Sequence, residues 1–245
     1  MKKGIHYYLV SDVGKKRKIN QDNFICDKYF CDGELDEKRK RKYGTISNDR
    51  IIMFGIFDGL GGEEKGEEAS YIAAKEASEL VFSKNLEADL RRYCKTTNKK
   101  ICKYAEDNNI ASMGTTMATI CFKGSKSLLC NIGDSKIYVI RSKKIKQISK
   151  DHVYKLYVGK KPPLTQCLGM PENETLIEPY IKEIRGGNRD IYLICSDGLS
   201  DNVTPEEMCD VILNRGIESG GDELLSLALE KGGQDNISII ICKRV

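Results

Sequence analysis

The stretch 116–141 reads TMATICFKGSKSLLCNIGDSKIYVIR, and its pattern decides the fold class. Three runs that favour strands, rich in β-branched, aromatic and other apolar residues, occupy 116–122, 127–132 and 136–141. Only short links, each with a glycine, separate these runs. Short links join antiparallel neighbours, because a parallel pair needs a crossover of about a dozen residues or more. We therefore predict a three-stranded antiparallel meander over this stretch.

Further strands and helices flank the meander. Four more strand-like runs lie at 7–10, 51–57, 190–195 and 236–242. Apolar periodicity predicts four helices, over 63–82, 87–108, 206–214 and 222–230. The third helix follows a capping box with proline at its first position, Thr204-Pro205-Glu206-Glu207. Helices paired between blocks of strands indicate an α+β fold, in which helices are layered on antiparallel sheet.

Composition excludes several classes of protein. The chain has 245 residues, 40 Lys and Arg, 36 Asp and Glu, and a formal net charge of +4. This charge is too small to indicate nucleic-acid binding, for which a basic face is typical. Its apolar runs are too short for a membrane span, and the segment 5–10 is too short for a secretory signal. Ten Cys without a Cys-x-x-Cys pair and only 2 His argue against zinc, so we predict reduced core thiols and a cytosolic location.

One segment has a biased composition. Residues 32–42 read DGELDEKRKRK, acidic first and then basic. We interpret it as a solvated excursion between two strands. The alternative for such a basic run is a nuclear-localisation or nucleic-acid patch.

Four aspartates share a position at the edge of an apolar run. Asp58, Asp134 and Asp197 each end such a run, and Asp235 precedes another. Taken singly, each is typical of a turn. Apolar strands pack side by side, however, so their ends can converge, and carboxylates that meet at one edge repel each other unless cations neutralise them. Oxygen ligands with almost no His or Cys suit hard ions such as Mg²⁺ or Mn²⁺.

The segments around these aspartates also resemble those of a known family. The matching motifs, in chain order, are Ser11-Asp12-Val13-Gly14, Asn20-Gln21-Asp22, Asp58-Gly59-Leu60-Gly61-Gly62, Met113-Gly114-Thr115-Thr116, Gly133-Asp134-Ser135, Lys150-Asp151-His152, Ser196-Asp197-Gly198 and Gln234-Asp235-Asn236. Together and in this order they resemble the metal-dependent, type 2C serine/threonine protein phosphatases in their compact bacterial form. The resemblance covers nearly the whole chain, which implies a single domain over 1–245. It also implies two packed antiparallel β-sheets flanked by helices on both outer faces.

The resemblance implies metal-binding roles for the matching positions. Asp58 would bridge two metal ions, and the carbonyl of Gly59 would complete the coordination of one of them. Asp197 and Asp235 match ligands of the other ion. Asp134 matches the ligand of a third, weaker ion. The implied cofactor is therefore Mn²⁺ or Mg²⁺, as two ions with a third in addition.

Arg17 matches the phosphate-binding arginine of the family, and its other interpretation is a solvated member of a basic run. Many members have Glu where this chain has Gln21. A neutral amide can reach a metal-bound water but supplies no charge, so we expect Asp22 to carry more of that role. Eukaryotic members have His where this chain has Leu60. The general acid is then a metal-bound water or another residue, and His152 is the candidate by motif. The alternative for His152 is a structural role at a turn.

The implied function is hydrolysis of phosphoserine and phosphothreonine in proteins by a metal-activated water. Its substrates would be those of a serine/threonine kinase, and we expect a cytoplasmic monomer in signalling, without nucleic acid or membrane. Two alternatives stay open: a catalytically silent phosphoprotein-binding module of the same fold, and a dimetal hydrolase of small phosphate esters. Cysteine catalysis is not supported, because Cys209 and Arg215 have no glycine-rich phosphate loop between them. The link 153–163 is too short for a helical lid, so we predict a tight loop beside an open groove.

Overall fold

The computed structural model describes residues 4–33, 38–60, 65–159, 161–173, 175–187 and 189–245. Its strands are β1 (Gly4–Asp12), β2 (Asp22–Cys26), β3 (Tyr29–Phe30), β4 (Arg39–Ser47), β5 (Ile52–Asp58), β6 (Met117–Lys123), β7 (Lys126–Ile132), β8 (Lys136–Arg141), β9 (Lys144–Gln147), β10 (Tyr180–Arg185), β11 (Ile191–Cys195) and β12 (Ile237–Arg244). Its helices are α1 (Gly66–Ser78), α2 (Leu86–Asp107), α3 (Asp197–Ser200), α4 (Pro205–Arg215) and α5 (Ile217–Glu230). The strands form two antiparallel six-stranded sheets. The first sheet has the order β4-β1-β12-β11-β8-β9, and the second has the order β10-β7-β6-β5-β2-β3.

The two sheets pack face to face, with helices outside each of them. In β1, Leu9 joins the core between the sheets, whereas its neighbour Tyr8 joins the core beneath α4 and α5. In the second sheet, Phe54 points into the shared core and Phe57 lies under α1 and α2. Both faces of the central strands are therefore buried, which explains why their sequences are continuously apolar rather than alternating. The predicted α+β sandwich with helices on both outer faces is confirmed.

The meander predicted over 116–141 is only half correct. β6 and β7 pair as expected, with Met117 opposite Ile132, but β8 pairs with β9 and β11 in the other sheet. The chain crosses between the sheets at Gly133, which has a φ of 92°. A Cβ there would lie 2.8 Å from the Thr116 side chain. The link between β7 and β8 can be short because the two sheets are stacked closely. A short link is therefore compatible both with pairing within one sheet and with a crossing between sheets.

The solvated excursion predicted at 32–42 is wrong for its basic half. Residues Arg39 to Lys42 begin β4, the edge strand of the first sheet, where Arg39 lies opposite Asp12 and donates to its carboxylate at 2.6 Å. Exposed Lys and Arg on an edge strand discourage edge-to-edge aggregation, which accounts for this composition. Residues 34–37 lie outside the described part of the chain.

The helices follow the predicted pattern, with shifted ends. α1 ends at Ser78 rather than at 82, and 63–64 lie outside the described residues. α5 begins at Ile217, five residues before its predicted start. The capping box of α4 is present: Thr204 Oγ1 accepts from the Glu207 N–H at 3.3 Å, and Glu207 accepts from the Thr204 N–H at 2.8 Å.

Two smaller features also agree with the sequence. None of the ten cysteines, all within the described ranges, forms a disulfide, and eight of them are buried. The link 153–163 has no helix among its described residues, and the Tyr154 N–H donates to the Pro163 carbonyl at 3.1 Å to close it as a loop. In the described ranges, no helix combines the length and the apolar character that crossing a membrane requires.

Candidate metal centre

Strand ends from both sheets meet at one groove and bring the predicted aspartates together. Asp58 ends β5, Asp134 lies between β7 and β8, Asp197 begins α3 directly after β11, and Asp235 precedes β12. All four line a groove with a volume of about 560 Å³. Arg17, Gly59, Leu60 and Lys161 line the same groove. The topology therefore assembles six of the seven predicted site residues on one surface.

Gly59 packs tightly against the start of α1. Its N–H donates to the Gln21 carbonyl at 3.1 Å. A Cβ at this position would lie 2.3 Å from the Gly66 carbonyl oxygen and 2.6 Å from that of Gln21. Only glycine fits here, so the backbone after Asp58 can run along the groove without a side chain.

Burial and neighbouring carboxylates raise the pKa values of Asp58 and Asp134. Burial, followed by the charges of Asp197, Asp22, Asp134 and Asp235, raises the pKa of Asp58 well above its ordinary value of 3.8. Burial and the charge of Asp197 raise the pKa of Asp134 to about 6. Carboxylates that lie close together disfavour each other's ionised form unless cations neutralise them. The donor set is all oxygen, so the residues fit hard divalent cations of the Mg²⁺ or Mn²⁺ type.

Two basic side chains neutralise the outer carboxylates of the groove. Arg17 grips Asp235 in a bidentate manner, with Nε 2.9 Å from Oδ1 and Nη2 2.8 Å from Oδ2. Lys161 Nζ contacts Oδ2 of Asp197. In the described part of the chain, no three acidic, histidine or cysteine side chains yet converge on a common ion position. Asp197 and Asp235 are thus each held by a basic side chain in this structure.

Asp22 lies behind the groove rather than on its surface. It sits opposite Asp58 in the β2–β5 ladder and is only 6% exposed. Its Oδ2 accepts from Ser196 Oγ at 2.8 Å, whereas its buried Oδ1 has no hydrogen-bond partner among the described residues. Burial, with the charges of Asp197 and Asp235 adding to it, raises the pKa of Asp22 to about 7. Asp22 therefore lies beneath Asp58 and is not among the residues that line this groove, and its catalytic role stays a prediction.

Two further residues shape the site, and the sequence did not predict roles for them. Glu67, in the first turn of α1, accepts from Gln21 Nε2 at 2.9 Å, so a carboxylate accompanies the neutral Gln21. Asn236 donates to the carbonyls of Val13 and Ile19 at 2.9 and 3.0 Å, which clamps the loop that carries Arg17. The motif containing Asn236 was visible in the sequence, but the contact between Gln21 and Glu67 spans 46 residues and had no local signal.

Leu60 lies at the groove, whereas His152 does not. Leu60 lines the groove as an apolar wall. His152 is not among the residues that line it; its Nδ1 accepts from the Gly133 N–H at 3.2 Å, and burial lowers its pKa. The structure therefore favours the structural interpretation of His152, as the support of the turn that carries Asp134.

Comparisons with known proteins agree with this geometry. The family model described as Protein phosphatase 2C matches residues 41–231. A serine/threonine phosphatase of Listeria welshimeri is 27% identical, and the match covers 98% of this chain and 96% of that protein. The serine/threonine protein phosphatase PstP of Mycobacterium tuberculosis is 29% identical over 77% of this chain and 40% of its own length.

A solved structure extends the likeness to three dimensions. The catalytic domain of PstP in complex with two manganese ions superposes with a TM-score of 0.78 at 26% identity, over 99% of both chains. The chain belongs to the protein phosphatase 2C family. Membership makes it a phosphatase, and the groove lined by the four aspartates is its candidate active site.

Proposed function

We propose that the protein hydrolyses phosphoserine and phosphothreonine in other proteins at a two-ion Mn²⁺ or Mg²⁺ centre. The observation that supports this most strongly is the convergence of Asp58, Asp134, Asp197 and Asp235 on one groove, where burial and the neighbouring carboxylates raise the pKa values of Asp58 and Asp134. Asp58 and the Gly59 carbonyl would hold one ion, Asp58 with Asp197 and Asp235 the other, and Asp134 a third. When bound, such ions would supply a hydroxide near neutral pH and charge neutralisation for the phosphate.

The remaining groove residues bind and orient the substrate. The guanidinium of Arg17 presents two parallel N–H groups, a geometry that suits two phosphate oxygens as well as it suits the Asp235 carboxylate it now holds. Leu60 supplies no proton, so protonation of the leaving alkoxide falls to water in the groove. The open groove and the short loop 153–163 beside it leave room for a protein segment rather than only for a small ester.

The silent binding module is disfavoured by the residues present. Loss of the metal-binding carboxylates would be its mark, yet all four are retained at the groove. The proposal includes substrates phosphorylated by a serine/threonine kinase, a signalling role and a monomer. Ten cysteines without a disulfide in the described ranges are compatible with a reducing cytoplasm, which we propose as the place of action.

One assay tests the proposal against its alternatives. Phosphate release from a phosphothreonine peptide is measured with Mn²⁺ and again with excess EDTA, beside p-nitrophenyl phosphate. We expect turnover of the peptide that EDTA abolishes. A silent module would bind the peptide without releasing phosphate, and a small-ester hydrolase would turn over p-nitrophenyl phosphate while sparing the peptide.

A further inference from the structure

Lys161 reaches into the groove from the loop 153–163. Its side chain is 54% exposed, whereas the Asp197 carboxylate that it contacts is 9% exposed. The loop holds this lysine in place: Val153 bridges to Leu164 at the loop's base, and Pro162 follows Lys161 directly. Because proline restricts the backbone of the residue before it, Lys161 enters the groove from a point of limited backbone freedom.

The acidic and basic side chains of the groove indicate a role for Lys161. Four carboxylates face two basic side chains, Arg17 on Asp235 and Lys161 on Asp197. Asp58 and Asp134 have no ion pair within the described ranges. Two divalent cations, even without the third at Asp134, would supply as many positive charges as the four carboxylates carry negative ones, so Arg17 and Lys161 would be left without partners. A phosphate monoester carries about −1.5 to −2, which matches these two released positive charges.

We propose that Lys161 exchanges partners during the working cycle. In the metal-free protein it occupies Asp197 and competes with the ion for that carboxylate. Once an ion is bound, Lys161 is released, and its ammonium group binds the substrate phosphate in the same groove. The second half of this proposal rests on the proposed function; the first half does not, because it concerns metal affinity alone.

The first test measures Mn²⁺ binding by calorimetry, without substrate. Lys161→Met keeps an aliphatic stem of similar length and removes the charge, so we expect Mn²⁺ to bind about three- to tenfold more tightly than in the wild type. Lys155→Met removes the same charge from the same loop, at a position that is exposed and makes no ion pair among the described residues, and should leave the affinity unchanged. Lys161→Arg, which retains the charge, should return the affinity towards that of the wild type.

The second test measures binding of the anion. At saturating Mn²⁺, Lys161→Met should weaken binding of inorganic phosphate about tenfold. For a phosphothreonine peptide it should raise KM more than it lowers kcat. Lys155→Met is again the matched control.

The outcomes separate the two halves of the idea and the proposed function. Unchanged or weaker Mn²⁺ binding in Lys161→Met, or an equal gain in Lys155→Met, overturns the competition. Unchanged phosphate binding overturns the partner exchange. If the wild type binds Mn²⁺ and phosphate but releases none from peptides, the proposed function fails while the exchange stands on the binding data.

Discussion

Asp58→Asn should abolish activity and at the same time stabilise the metal-free protein. Asp58 is the central carboxylate of the groove, and burial together with four neighbouring aspartates raises its pKa well above 3.8. The folded protein therefore prefers Asp58 protonated, whereas the unfolded chain ionises it above about pH 4. The stability that this group contributes is present below pH 4 and is lost as pH rises through the folded pKa. The amide of Asp58→Asn would carry no charge at any pH, so the variant should not lose this stability as the pH rises.

The size of the effect follows from the neighbouring carboxylate. The pKa of Asp134 rises from 3.8 to about 6, which corresponds to about 3 kcal/mol between the two protonation states. Asp58 shares burial and the charge of Asp197 with Asp134, so the two effects should be of similar order. An amide of the same shape recovers most of that energy but leaves a polar group at the groove. We expect a gain of about 2 kcal/mol at pH 8, or about 4–8 °C in Tm for a chain of this length. The gain should shrink as the pH falls, because the raised pKa of Asp58 favours its protonated form in the folded protein.

Thermal unfolding followed by circular dichroism in EDTA, at pH 5 and at pH 8, measures this effect. In the same experiment with Mn²⁺, the wild type should gain stability and the variant should gain much less. Activity on a phosphothreonine peptide at saturating Mn²⁺ should fall below about a tenth of the wild-type rate. A tenfold loss of rate corresponds to about 1.4 kcal/mol of lost transition-state stabilisation.

Asp190→Asn is the matched control. Asp190 is buried as well, but it accepts from Arg141 at 2.9 and 2.6 Å and from the Gly187 N–H at 2.7 Å. Burial raises its pKa, and these hydrogen bonds outweigh burial and lower it overall. Its replacement should therefore destabilise the protein at pH 8. A lower Tm for Asp58→Asn at pH 8 in EDTA would refute the reasoning, because it would mean that the charge of Asp58 is well solvated or already paired.

Three further substitutions test other parts of the molecule. Arg17→Ala should lower kcat/KM for a phosphothreonine peptide about ten- to a hundredfold, mainly by raising KM. Calorimetry should show Mn²⁺ affinity equal or tighter, because the ion pair with Asp235 is gone. Unchanged kinetics would mean that Arg17 is a solvated member of the basic run. Leu60→His should improve kcat on the peptide more than on p-nitrophenyl phosphate, whose leaving group needs no proton, and equal changes on both substrates would contradict this. Thr204→Ala should cost about 1 kcal/mol of stability by removing the α4 cap and leave kinetics unaltered, as melting curves and the peptide assay will show.

The candidate site was predictable because its signals are local. Each of its aspartates sits at the edge of an apolar run, and a strand that is buried on both faces is visible in sequence as such a run. The end of a run thus marks the end of a strand, where side chains can converge on those of neighbouring strands. The cap of α4 was predictable for the same reason, since it is encoded within four consecutive residues.

The features that escaped prediction depend on contacts between distant segments. A strand's sequence reports its burial but not its partner, so β8 could be placed as a strand but not in its sheet. β4 lies at an edge, where charged residues are favourable and the apolar signal of a strand disappears. The pair of Gln21 with Glu67, and the ion pairs of Arg17 and Lys161, join segments whose proximity only the assembled fold creates.

The groove shows how the fold tolerates an unfavourable cluster of charges. Four carboxylates meet at one place at a cost of several kcal/mol, and the central strands that carry them are buried on both faces in three apolar cores. These cores hold the strand ends where they are, so the carboxylates cannot move apart to relieve their repulsion. The repulsion is instead relieved from outside, by Arg17 and Lys161 in this structure and by divalent cations in the proposed working state. In the proposed working state, cations would bind to carboxylates that already repel one another, and their binding would release Arg17 and Lys161 for a phosphate.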